Sequence, residues 1–256
     1  MPGVSRRDLF GLGFLARARA NIDYEAATER AENAWDGDDH EALLRALEPM
    51  AATLVEAAGI KRGMTVLDAA AGDGNVAAAA IARGAEVQAC DISRAMVARG
   101  RERVPRASWL RGDVQDLPYP AAGFAAVLSS VGAVLAPRAR RTARELVRVT
   151  RPGGIVALTA WQPNSLPGRI ERLAPLPEGV RSPAEWGRED IARERLEPLL
   201  DDLVLETHTV RLAFADEDAL LAALLRPTGL DDRPDLRGYG AACDAGYLLA
   251  IGRRPV

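Results

Sequence analysis

Two acids, each closing a short apolar run and separated by small residues, are the part of this 256-residue chain whose types and spacing could do chemistry. Met64 to Leu67 is apolar with β-branched members, ended by Asp68 and the small-residue loop Ala69 to Gly74. Val76 to Arg83 reads as an Ala-rich helix closed by Gly84, and Glu86 to Cys90 is a second apolar run ended by Asp91. Strand, tight loop, helix, strand, acid is a βαβ unit, with its ligand position at the strand tips. Ala70, Ala71, Gly72 and Gly74 let a ligand lie against bare backbone at the helix N-terminus, where N–H groups are unpaired. Asp91 is placed to accept from ribose hydroxyls. The unit reads as a nucleoside-binding half-fold.

Gly72-x-Gly74-x-x-Ala77 fits the dinucleotide fingerprint, which alone is weak evidence. Asp68 argues against it: a carboxylate at the strand tip repels a pyrophosphate and favours an amino group or a sulfonium. S-adenosyl-L-methionine (SAM) has both. The stretch resembles class I SAM-dependent methyltransferases, whose first motif runs roughly D-x-G-x-G-x-G. Here it reads Asp68-Ala69-Ala70-Ala71-Gly72-Asp73-Gly74, with Ala70 replacing the first glycine by one added methyl group. Gly112-Asp113-Val114-Gln115-Asp116-Leu117-Pro118 keeps the family's G-D-x-x-x-L-P pattern. Arg151-Pro152-Gly153-Gly154, between a helix and a strand, is a further family marker with a structural role. Together the motifs cover about residues 52 to 161, and the nearest resemblance is to the ubiquinone and menaquinone methyltransferase group.

The resemblance implies an α/β fold: a Rossmann-like, seven-stranded, mostly parallel sheet with an antiparallel last strand, helices on both faces and an N-terminal helical cap. It implies SAM as cofactor, held by Asp68, Ala69, Ala70, Gly72, Gly74, Asn75, Asp91, Ile92, Met96, Asp113, Val114 and Ser129. Within that set Asp91 takes the ribose hydroxyls, Ile92 and Met96 wall the adenine, and Asp113 accepts from the adenine amino group. Ser129 stands where the methionine end and the acceptor meet. The expected reaction is methyl transfer to a small-molecule acceptor by in-line displacement at the sulfonium methyl, which needs alignment and, for a weakly acidic nucleophile, a base. No residue is assigned as that base. Two rivals stand beside this reading: a dinucleotide-dependent oxidoreductase, which Asp68 and the G-D-x-x-x-L-P motif disfavour, and a SAM-binding scaffold that does not methylate.

Composition sets outer bounds. Apolar residues make up 48% and the net charge is −3, which gives no general affinity for nucleic acid. Lys61 is the only lysine, so arginine supplies the remaining basic residues. Cys90 and Cys243 are too few for a disulfide framework or a zinc site, and no acids and histidines group at metal-ligand spacing. No apolar run approaches membrane-spanning length. The expectation is a soluble cytoplasmic protein, monomer or homodimer, without a nucleic-acid or membrane partner. Ser5-Arg6-Arg7-Asp8-Leu9-Phe10 resembles a twin-arginine signal, but Gly11 and Gly13 interrupt its apolar region and Arg17 and Arg19 crowd the Ala18-Arg19-Ala20 cleavage pattern. Residues 1–20 therefore read as a basic leader. Residues 21–256 read as one domain: a helical cap (21–60), a cofactor-binding core (61–161), and a lid with C-terminal strands (162–256).

These elements must position the acids. Asp23 to Ala34 reads as one helix. Asp38 or Asp39 caps a second that runs to Ala58, which Pro49 kinks or divides. Tyr24, Trp35 and His40 are expected to face the pocket. Ser93 caps a helix to Arg103, Trp109-Leu110 and Phe124 to Ser129 are strands, and Pro137 to Thr150 is an Arg-rich amphipathic helix. Arg151 to Gly154 turns into a strand from Ile155 to Trp161. Gln162 to Gly187, with five prolines, reads as an ordered loop or lid. Arg188 to Leu200 is helical, Leu203 to Phe214 a strand that places His208 in packing or at the surface, Asp216 to Leu225 a short helix, and Gly246 to Gly252 the last strand. Leu230 to Ala245 is short, so a reduced substrate cover is expected there.

Overall fold

The computed structural model describes residues 22–37, 40–230 and 234–256. The leader and the capping acids Asp38 and Asp39 lie outside the described residues. Seven strands form one sheet: β1 (Thr65–Ala69), β2 (Glu86–Asp91), β3 (Ser108–Arg111), β4 (Phe124–Ser130), β5 (Thr150–Trp161), β6 (Asp201–Ala213) and β7 (Ala242–Arg253). Their order is β3-β2-β1-β4-β5-β7-β6, with β1 to β5 parallel and β7 antiparallel between β5 and β6. Chain order reverses direction between β1 and β4, and such a switch opens a crevice beyond the C-terminal strand ends.

The central strands are apolar on both sides because helices cover both faces of a parallel sheet. Val66 pairs with Val87 and Ala126, and Asp68 with Ala89 and Leu128, so the β1 acid leaves the sheet at its upper edge. β6, at the free edge, alternates exposed with less exposed residues, as a strand half in water must.

The helices are α1 (Tyr24–Trp35), α2 (Glu41–Ala46), α3 (Glu48–Ala57), α4 (Asn75–Ala82), α5 (Arg94–Arg103), α6 (Ala139–Val149), α7 (Leu166–Leu173), α8 (Glu189–Leu196) and α9 (Glu217–Leu225). Asp23 caps α1 by accepting from Ala26 N, as Ser93 caps α5 through Met96 N and Asp216 caps α9 through Ala219 N. Pro49 divides the second predicted helix. It sits in the first turn of α3, where its missing N–H costs no hydrogen bond. In α4 the buried Ala77 and Ala80 carry only a methyl, which lets the helix lie close against the sheet.

Two expectations change. Arg151 to Gly154 is not a turn outside β5 but a bulge within it. Thr150 already pairs with Phe124 and Ile155 with Ala126, and the intervening residues bond to Arg254 through Gly153 N and Gly154 O. The 162–187 stretch is not only a loop: Ser165 caps α7, which carries Pro167 in its first turn, and Pro183–Gly187 forms a 3₁₀ turn. No described residue of 230–245 lines the cavity, in keeping with the reduced cover expected there, and the end of α9 with the turn after it contributes Leu224 and Arg226 to Gly229 to the wall. No helix among the described residues is long and apolar enough to cross a membrane.

Candidate active site

The β1–α4 loop is built by backbone geometry before any ligand arrives. Ala70, Gly72 and Gly74 all have positive φ, at 53°, 55° and 95°. Ala70 thus holds a left-handed conformation that costs a non-glycine residue roughly 1 kcal/mol, so replacing the motif's first glycine does more than add a methyl. The loop is tied across the sheet: Ala71 N donates to Cys90 O at 3.0 Å and Gly72 N to the Asp91 carboxylate at 2.8 Å. Gly74 serves packing: a Cβ there would lie 2.9 Å from the Trp109 ring.

A cavity of about 570 Å³ opens above this loop, within the range that holds small-molecule ligands. Asp68, Ala70, Gly72, Asn75, Asp91, Ile92, Met96, Asp113 and Val114 line it. Ala69, Gly74 and Ser129 do not: Ala69 is buried in β1, and Ser129 Oγ accepts from Ala133 N beneath the surface. Ser130 stands at the wall in its place. A one-residue offset along a strand moves a side chain to the opposite face.

Two of the acids, Asp68 and Asp91, are held out of water. Asp68 is 1% exposed and its Oδ2 accepts from Ala77 N at 2.8 Å. Burial, opposed by that bond and reinforced by the charges of Asp91 and Asp73, pushes its pKa well above the usual carboxylate range. Asp91 accepts from both Gly72 N and Ser93 N, yet burial still raises it to about 6. Asp113 accepts from Gln115 N and from the Gln115 side-chain amide at 2.8 and 2.9 Å. A ligand bringing positive charge and hydroxyl or amino donors relieves this end of the cavity. One bringing phosphate burdens it further.

Known proteins of similar sequence include methyltransferases. Residues 66–154 match the family model described as a methyltransferase domain. Over that stretch the chain is similar to methyltransferase domains. Over 100 residues it is 42% identical to a demethylmenaquinone methyltransferase of Beutenbergia cavernae, covering 39% of this chain and 42% of that one. An uncharacterized protein of Mycobacterium tuberculosis is 38% identical over 166 residues, 61% of each chain, so this chain spans about three-fifths of that relative's length. Among solved structures, the YcgJ protein of Bacillus subtilis covers 80% of the chain and is itself 98% covered, at a TM-score of 0.56 and 16% identity. The [4+2]-cyclase SpnF, at 0.56 and 19%, covers 82% of the chain and is 81% covered. At such identities the likeness is one of fold.

Outside the matched stretch, α1 closes the cavity. Ser93 Oγ, besides capping α5, shares its one proton between Asp36 Oδ1 at 2.6 Å and Trp35 O at 3.1 Å. Arg111 pairs with Glu32, Arg30 donates to Pro175 O, and Arg138 lies 4.9 Å over the Tyr24 ring. Of the three residues expected to face the pocket, only Trp35 lines it. Tyr24 lies under Arg138, and His40 is buried against Trp35 with ring centres 4.8 Å apart. His208 is stacked on Tyr247 in the outer sheet.

Sequence reasoning missed three groups. Arg103 ties the loop to the cap by donating to Asp73 Oδ1 and Asn75 Oδ1, each at 2.7 Å, and to Glu48 at 2.6 Å. With its amide donating to Leu44 O, the Asn75 side chain is committed to this brace. Gln115 joins the G-D-x-x-x-L-P turn to α1 through Thr28 at 3.0 Å. Glu171, on α7, is a buried acid in the cavity wall. Its one signal was its place in an apolar stripe, three and four residues from Gly168 and Pro167 and next to Ile170. Among the described residues no group of three or more His, Cys, Asp or Glu could hold a metal ion.

Proposed function

We propose that this chain is a SAM-dependent methyltransferase acting on a small, partly apolar acceptor, O-, N- or C-methylation being open. The reading is carried by one observation: two buried carboxylates, Asp68 and Asp91, flank a positive-φ glycine turn at the sheet's switch point, in a cavity whose next wall is apolar. When bound, SAM supplies an electrophilic methyl on a sulfonium; its transfer leaves the C–S electron pair on sulfur while the acceptor's proton goes to a base or to water. Asp91 has lone pairs beyond its two backbone bonds for ribose hydroxyls. Ile92, Met96 and the Val114 backbone give a flat apolar slot for a purine, with Asp113 to accept from its amino group. Asp68 faces the positive end, and Ser130 takes the place expected of Ser129. Ala70 and Gly72 keep the loop backbone open to the ligand, and Ala69, Gly74 and Asn75 act by holding that loop.

In this reading residues 21–60 cap, 61–161 bind the cofactor, and 162–256 complete the acceptor wall of one cytoplasmic domain, monomeric or homodimeric, with no nucleic-acid or membrane partner. Calorimetry should show micromolar binding of S-adenosylhomocysteine (SAH), on the order of −7 to −8 kcal/mol, and none comparable for NAD. Tight NAD binding with no SAH binding would sink the proposal. Turnover of SAM to SAH across a panel of small aromatic and aliphatic acceptors tests the transfer itself.

A further inference from the structure

α7 carries an acid where its pattern calls for a hydrophobe. Leu166, Pro167, Gly168 and Ile170 are buried on one side of this helix, and Glu171 is buried with them at 8% exposure, while Arg172 is exposed. Glu171 lines the cavity, whose wall also includes Ile170, Pro175, Val180, Leu224 and Pro227. Its Oε2 has no hydrogen-bond partner among the described residues. Three other polar residues of the cavity wall are already engaged. Arg30 donates to Pro175 O, Arg181 pairs with Glu185 at 3.2 Å, and Thr28 donates to Tyr24 O and accepts from Gln115. On the same helix Arg169 donates to Tyr239 Oη at 2.6 Å.

Leaving a buried carboxyl unpaired costs stability, and such groups concentrate where a ligand completes the bonding. Resting on the methyltransferase reading only in calling the bound molecule an acceptor, we propose that Glu171 is the acceptor-recognition residue of this cavity, pairing with an O–H or N–H group on an otherwise apolar molecule. Burial alone raises its pKa to about 8, so near neutral pH the carboxyl is largely protonated. A protonated carboxyl suits a hydroxyl well, because the two can donate to each other. It can instead yield its proton to an amine and hold the resulting ammonium. An acceptor without such a group leaves Oε2 orphaned and is discriminated against, since an unmet buried polar group is costlier than a missing contact.

Fluorescence titration of the full chain, with and without SAH, against 2-naphthol and naphthalene tests this. The two probes differ by one hydroxyl. The wild type should prefer 2-naphthol by ~10-fold or more, the scale of one buried polar pairing. Glu171→Leu should abolish the preference, and Glu171→Gln, which keeps shape and a carbonyl, should keep part of it. A wild type that does not discriminate, or binds neither probe, overturns the proposal, as does a Leu variant that still discriminates. If the Leu variant does not fold, an undiminished preference in the Gln variant overturns it. SAH calorimetry on the same proteins separates the two readings: SAH binding without hydroxyl preference sinks the role of Glu171 alone, and hydroxyl preference without SAH binding sinks the cofactor reading alone.

Discussion

Asp91 carries two duties, and a substitution there separates them. Its carboxylate fixes the β1–α4 turn through Gly72 N and begins α5 through Ser93 N, while its remaining lone pairs face the cavity. Asp91→Ala should weaken SAH binding by roughly 1.5 to 3 kcal/mol, the range for a hydrogen bond to a charged group; unchanged affinity in a folded variant would assign the acid to the turn alone. Gly132 shows the opposite limit, a residue needed for having no side chain. A Cβ there would stand 2.2 Å from Ala70 O. Gly132→Ala should cost on the order of 2 kcal/mol by overpacking, read as an earlier urea midpoint at unchanged slope. A variant as stable as the wild type would mean that the two loops separate freely.

At the scale of elements, the cavity depends on α1 staying docked. Its inner end is held through Ser93, Trp35 O and Asp36, and its length by Glu32, Thr28 and Arg30. The contact of Ser93 with Asp36 is mutual: the same hydroxyl that caps α5 donates to the carboxylate, which holds the Asp36 pKa below its ordinary value. Asp36→Ala leaves the Ser93 cap on Met96 N intact and removes this tie together with the weaker bond from Ala95 N. Hydrogen exchange over Tyr24–Trp35 should then quicken severalfold while α5 beyond its first turn is unchanged, because local opening is governed by local contacts. Equal protection in both proteins would show that the other ties suffice.

For the whole molecule, Glu171 predicts how stability depends on pH. Its carboxyl titrates near the ordinary 4.5 when unfolded and near 8 when folded. Between those values the unfolded state loses its proton while the folded state keeps it, so this group's contribution is full below pH about 4.5 and is lost as pH rises toward 8. The slope is about 1.4 kcal/mol per pH unit at most. Glu171→Gln has no such slope. Its stability relative to the wild type should rise steadily from pH 5 to pH 8 and then level off, as urea unfolding at several pH values would show. Parallel curves would mean that the carboxyl is ionised in the folded state. Asp68 and Asp91 are present in both proteins, so their own titrations cancel in the difference.

The order of elements, the βαβ unit and the class I motifs were legible in the sequence because they rest on neighbours along the chain. Periodicity marks a helix, a capping side chain reaches three residues, and an acid after an apolar run stands at a strand tip. Ser93 caps the helix it was read to cap, Asp23 and Asp216 cap helices read to begin at them, and Asp68, Asp91 and Asp113 converge on one cavity. What sequence could not show depends on distance in space. The brace of Arg103 on Asp73 and Asn75, the shielding of His40 behind Trp35, the bulge at Arg151–Gly154 and the helix within the proline-rich segment are all decided by partners far along the chain. So is the choice of Ser130 over Ser129 at the wall, which depends on how β4 is faced. Glu171 is the plainest case: a glutamate on a short helix reads as a solvated face, and only packing of α7 over the cavity takes it out of water. Local propensity acts within a turn or two of the chain, whereas burial is a property of the folded whole.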